Sequence, residues 1–170
     1  MFATLFSFLV LLYKGIIREI YDTIRGKHKK GRLRLTNSKE VEQLIERCIL
    51  VGVNLKNDTH FDYTMEELSN LAEALNVEVI GSVTQNLERV TPSHYVGTGK
   101  IEEIKVFYEE TGANLVIFND ELSPSQIRNL ERDLQCKVID RTMLILDIFS
   151  RRAKTREAQL QVELAKLQYM

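Results

Sequence analysis

Little in this sequence can cross-link the chain or hold a metal. The two cysteines, Cys48 and Cys136, stand far apart, and neither belongs to a C-x-x-C pair or a histidine-rich cluster. That argues against a disulfide framework and against structural zinc. Each thiol borders an apolar run, so both read as core residues in a reducing, cytoplasmic setting. The three histidines, His28, His60 and His94, have no nucleophile or second ligand at local spacing and read as exposed loop side chains. Proline and glycine together occupy only ten positions, with 44% hydrophobic and 28% charged residues, which excludes disordered, collagen-like and polytopic membrane classes. Long apolar runs are missing too. Residues 2–13 are almost wholly apolar, yet Lys14, Arg18 and Glu19 interrupt before the roughly 20 residues that span a bilayer.

Net charge is also scarce, at −1, but this is a cancellation. Residues 1–40 carry nine Lys or Arg against three Asp or Glu, and residues 41–170 carry fourteen against twenty-one. Six of the ten residues from Arg25 to Arg34 are basic. Besides a tail translated from a misplaced start, two readings stand for this front end. It is a charged linker after a helix packed on the domain, or a membrane-associated module in which residues 2–24 lie on the bilayer and the basic run within residues 1–34 adds electrostatic attraction.

What is present from residue 41 onward is the alternation of an α/β domain. Cys48–Leu55 reads as a buried strand, and Thr64-Met65-Glu66-Glu67 has capping-box spacing ahead of Leu68, Leu71, Ala72 and Leu75. Val77–Thr84 is the second strand, residues 85–93 a polar connection, and Tyr95-Val96 a continuation of the sheet. A helix over 100–111 buries Ile101, Ile104 and Tyr108 and ends at Gly112. Leu115–Phe118 is continuous in apolar residues, as buried parallel strands are. Ser123-Pro124-Ser125-Gln126 combines an N-cap, a proline at the first helical position and a capping-box Gln. Leu130 and Leu134 then lie on its inner face, and Val138–Asp140 is the last strand. Strands alternating with helices imply right-handed crossovers and a mostly parallel sheet flanked by helices. The apolar residues from Met143 to Phe149, and Leu160, Leu164 and Leu167 after them, predict one long projecting helix, half of a coiled coil. The division is therefore 1–40, an extension without assignment; 41–140, the α/β domain; and 141–170, the start of a helical region.

Candidate chemistry is sparse. Gly97-Thr98-Gly99-Lys100 is tempting as a phosphate loop, but His94 and Ile101 stand where that pattern needs Gly and Ser or Thr, so it reads as a tight strand-to-helix turn. Asn119, Asp120 and Glu121 follow a strand end, where sites of α/β proteins lie, but adjacent acids before a capped helix also favour the helix electrostatically. No catalytic, cofactor or metal residue is assigned. The better candidate is Arg151, Arg152, Lys154 and Arg156, four cations within six positions, suited to RNA phosphates.

Several consecutive segments then carry a family resemblance. Tyr95-Val96-Gly97-Thr98-Gly99-Lys100-Ile101-Glu102-Glu103, Leu115 through Gln126, Val138-Ile139-Asp140-Arg141-Thr142, Ile145 through Phe149, and Arg151–Met170 with Thr155-Arg156-Glu157 strongly resemble the N-terminal domain of HflX-type GTPases. The resemblance covers about residues 44–170. It implies an α/β subdomain, two long helices as an antiparallel coiled coil, then a GTPase domain. It also implies binding to the large ribosomal subunit and its rRNA, and dissociation of ribosomes. GTP and Mg²⁺ are expected of the full-length family and no cofactor of this stretch, which is read as a fragment without hydrolysis of its own.

Overall fold

The computed structural model describes residues 46–56 and 58–169; the apolar segment 2–24, the basic run 25–34 and His28 lie outside these described residues. Four strands, β1 (Arg47–Leu55), β2 (Glu78–Leu87), β3 (Leu115–Phe118) and β4 (Lys137–Asp140), are all parallel and lie in the order β2-β1-β3-β4. The helices are α1 (Phe61–Ala74), α2 (Thr98–Thr111), α3 (Pro124–Leu134), α4 (Arg141–Arg152) and α5 (Arg156–Tyr169). The α/β class and the parallel sheet with flanking helices are as the residue pattern predicts.

Central β1 is apolar on both faces because both are covered. Ile49, Val51 and Val53 join Val116, Phe118 and Val138 in a core with Ile101 and Ile104 of α2 and Leu130 and Leu134 of α3. On the other face Gly52 lies under α1: a Cβ there would sit 2.4 Å from Met65 Sδ and 2.8 Å from the Phe61 ring. A side chain there would displace Met65 and the Phe61 ring, through which α1 meets the sheet. Chain direction and covering face reverse together after β2, so each crossover keeps the same hand. The reversal leaves a switch point between the carboxyl ends of β1 and β3.

Local signals decide most element ends. Ser123 accepts from the Gln126 amide while the Gln126 side chain accepts from the Ser123 amide, a complete capping box. Gly112, at φ 65°, closes α2 in the left-handed region that glycine enters without a Cβ clash.

Four expectations need correction. Thr64 does not cap α1: the helix begins at Phe61, after a turn in which Asp58 Oδ1 accepts from the His60 amide at 2.9 Å, and the Thr64 hydroxyl donates back to Phe61 O. The second strand takes in residues 85–87, because β1 runs to Leu55 and offers a partner as far as Leu87. Tyr95 and Val96 do not extend the sheet; Tyr95 has φ 68° and makes one isolated bridge to Thr91. The single long helix is two. Ala153 turns to an extended conformation, and Thr155 accepts from the Ala158 amide to begin α5. Lys166 Nζ reaches Asp147 Oδ1 at 2.5 Å and the Tyr169 hydroxyl bonds Asp140, so α5 folds back along α4 as an antiparallel hairpin. Val162 is its buried contact, while Leu160, Leu164 and Leu167 stay exposed. Among the described residues no helix is long and apolar enough to cross a membrane.

Candidate functional site

The switch point is filled by the chain's own side chains. Asn119, just past β3, donates its backbone amide to Val51 O at 2.8 Å and its side-chain amide to the Thr64 hydroxyl at 3.0 Å. Arg141, at the start of α4, donates to Asn119 Oδ1 at 3.0 Å and to Thr64 O at 3.4 Å, and forms an ion pair with Glu67 of α1. Both charged groups are largely buried, with side-chain exposures of 19% and 13%. Three elements are thus bolted together where a ligand crevice would otherwise open. Sequence reasoning missed Thr64, Glu67 and Arg141 as a group. An Arg directly after an apolar strand and before an apolar helix is the signal that was present.

Beside this network lies Asp120. Its carboxyl is held above the usual carboxylate range, chiefly by burial, against the opposing pull of a Tyr95 hydrogen bond and the Arg141 charge. Its Oδ2 has no hydrogen-bond partner among the described residues. Tyr95 stacks edge-on to Phe118 with ring centroids 6.4 Å apart, and its phenol is raised by burial and by Asp120. A carboxyl raised on folding adds stability below its ordinary value of 3.8 and loses that contribution as pH rises through the folded value. Asp120→Asn, which cannot ionise, is therefore expected to gain on the wild type as pH goes from below 3.8 to neutral. Urea midpoints at both pH values measure this, and a margin that does not move with pH contradicts it.

The loop from Glu88 to Gly97 is strapped over this edge by α3. Gln126 Nε2 donates to Thr91 O at 3.3 Å and Asn129 Nδ2 to Ser93 O at 2.9 Å. His94 is part-buried rather than exposed, bridging the Ser93 hydroxyl at 2.8 Å and Asp133 at 2.9 Å. The correction has a plain cause: Asp133 is 39 positions away and invisible to local spacing. His60 does lie exposed ahead of α1.

Gly97 caps α2 as a tight turn, its amide donating to Gln85 Oε1 at 3.0 Å, and Lys100 pairs with Glu103 at 2.6 Å. The Gly97 amide and the Lys100 ammonium are thus engaged within the chain. Burial pushes the Cys48 and Cys136 thiols up to about 12, leaving them protonated and unreactive at neutral pH.

The four predicted cations come together at the α4–α5 turn. Arg151 and Arg152 end α4, where they complement the helix dipole, Lys154 is in the turn, and Arg156 opens α5. Lys154 and Arg156 are exposed. Arg151 has a structural duty as well, donating to Leu75 O at 2.7 Å and so satisfying a carbonyl at the end of α1.

Known proteins are similar to this chain over most of the described residues. Residues 62–150 match the protein family described as GTP-binding GTPase N-terminal. Over 127 residues the chain is 52% identical to GTPase HflX of Alkalihalophilus pseudofirmus, taking in 74% of this chain and 30% of that protein. GTPase HflX of Escherichia coli is 42% identical over 125 residues, 74% of this chain and 29% of that protein. A GTP-binding protein from the hyperthermophilic archaeon Sulfolobus solfataricus, solved in complex with GDP, superposes with a TM-score of 0.54 at 25% identity, over 72% of this chain and 36% of the other. The chain spans about 30% of the length of the first of these relatives.

Proposed function

Because the chain belongs to the GTP-binding GTPase N-terminal family, the leading domain of the HflX GTPases, we propose that it is a ribosome-docking domain. It holds the large subunit through rRNA phosphates, in the cytoplasm, and makes no catalytic contribution of its own. To the part of the longer relatives that this chain does not match we assign GTP and Mg²⁺, and to the two parts together the dissociation of ribosomes. The observation that carries this reading is the gathering of Arg151, Arg152, Lys154 and Arg156 at one turn of a helical hairpin. The rest of the domain is acidic, so this turn is the local exception. Cations so placed neutralise phosphates and release counterions, which gives affinity that falls with salt and reads no base sequence.

Co-sedimentation with large ribosomal subunits over a salt series tests it. Changing Arg152, Lys154 and Arg156 to Glu, with Arg151 kept for its bond to Leu75, is expected to weaken binding by about ten- to a hundredfold. The salt slope should also fall, by about 0.7–0.9 for each phosphate that is no longer neutralised. Unchanged binding with an unchanged slope overturns the proposal.

A further inference from the structure

The sheet has one long edge that nothing covers among the described residues. β2 is ten residues long and pairs only with β1, whereas the opposite edge, β4, has four. Natural edges are usually blunted by Lys, Pro, bulges or covering segments, because unpaired backbone groups recruit strands. β2 carries no Lys, Arg or Pro. Its one guard is a register shift at Ile80, which leaves Gly81–Leu87 in constant register with Ile49–Leu55 of β1. At about 3.3 Å per residue, that run offers roughly 23 Å of free edge.

Beside this edge is a groove of about 560 Å³ between β2 and α2, lined by Val83, Glu102, Glu103, Val106, Phe107 and Glu110. Its floor is apolar: Phe107 lies over Gly81, where a Cβ would meet the ring at 2.8 Å, and Val106 is 51% exposed. Its rim is acidic and no basic side chain lines it. Lys100 offsets Glu103, which leaves Glu102 and Glu110 as the charges presented to an incoming chain.

We propose that the outer edge of β2 and its groove are a docking site for an extended, basic segment of a partner protein, which adds to the sheet as a fifth strand. Backbone hydrogen bonds along Gly81–Leu87 supply the attachment, and the every-second side chains that face the helix carry apolar groups over Val106 and Phe107 in the middle and cations at the ends toward Glu102 and Glu110. Charge selects among occupants. Nucleic acid and anionic lipid are repelled by the rim, and a second copy pairing β2 to β2 would set the two acidic rims side by side. This site is separate from the basic turn and serves a partner of opposite charge.

A labelled heptapeptide, Lys-Thr-Val-Thr-Val-Thr-Lys, which puts both Lys and both Val on one face of a strand, tests the proposal when titrated against the whole chain by fluorescence anisotropy. Saturable binding is expected, weakened about tenfold or more by Glu102→Lys with Glu110→Lys. Both positions are exposed, and circular dichroism verifies that the variant remains folded. Two further peptides, N-methylated at every Thr or at both Val, examine the backbone. Strand addition uses one edge of the peptide, so one methylation pattern should abolish binding and the other spare it. Equal binding by both, or insensitivity to the glutamate changes, overturns the proposal. So does preferential capture of an oligonucleotide at the groove, or a chain dimer that the peptide disperses.

Discussion

Arg141→Met is expected to cost the fold about 3–5 kcal/mol, the range for removing one partner of a buried ion pair. The loss is larger than a surface bridge would give because the side chains are enclosed: Arg141 and Glu67 have exposures of 19% and 13%. Arg141 also satisfies Asn119 Oδ1 and Thr64 O, so the variant strips acceptors on β3's exit and on α1 together. For a domain of this size the melting temperature should fall by roughly 6–20 °C. The attribution is testable through the second site. Glu67→Met added to Arg141→Met removes the stranded carboxylate, and packed apolar side chains replace a buried pair at little cost. The double variant should therefore recover most of the loss, giving a large coupling energy in a double-mutant cycle read from urea midpoints. If the two losses simply add, the pair is not what holds α1, β3 and α4 together.

That network also marks where the sequence stopped being legible. Elements set by short-range rules were readable: β3 over Leu115–Phe118 from its apolar run, α3 from its Ser123 cap, and the end of α2 from Gly112. Boundaries set by partners elsewhere were not. β2 continues to Leu87 because β1 accompanies it that far. The α4–α5 turn contains neither Gly nor Pro, and only the Thr155 cap followed by Glu157 announces a new helix. A continuous apolar periodicity through residues 143–167 therefore reads as one rod. The structure gives the same leucines a different setting, since Val162 and the polar tethers at Lys166 and Tyr169 hold α5 to α4 while Leu160, Leu164 and Leu167 face outward. The candidate cations were legible as a cluster in sequence. The demand made on Arg151 by Leu75 was not, because it links positions 76 apart. Arg141, Glu67 and Thr64 could not be linked to one another for the same reason.

Asp140 governs how that cluster is carried. The side chain is fully buried and accepts three donors: the Met143 amide at 2.9 Å as the cap of α4, the Leu122 amide at 3.0 Å ahead of α3, and the Tyr169 hydroxyl at the end of α5. Asp140→Ala removes a helix cap, worth about 1 kcal/mol, and leaves two further donors without an acceptor in the interior, at about 1–3 kcal/mol each. A total of about 3–7 kcal/mol is expected. Tyr169→Phe separates the contributions, because it cuts only the α5 tether and keeps both amide bonds. Its stability cost should be about 1 kcal/mol, but it should speed tryptic cleavage at Lys154 and Arg156 by loosening the hairpin. Equal stability losses for the two variants would mean that Asp140 acts as a tether alone. A small loss for Tyr169→Phe beside a large one for Asp140→Ala would mean that one carboxylate fixes the sheet's exit, starts α4 and sets the angle at which the hairpin presents its basic turn.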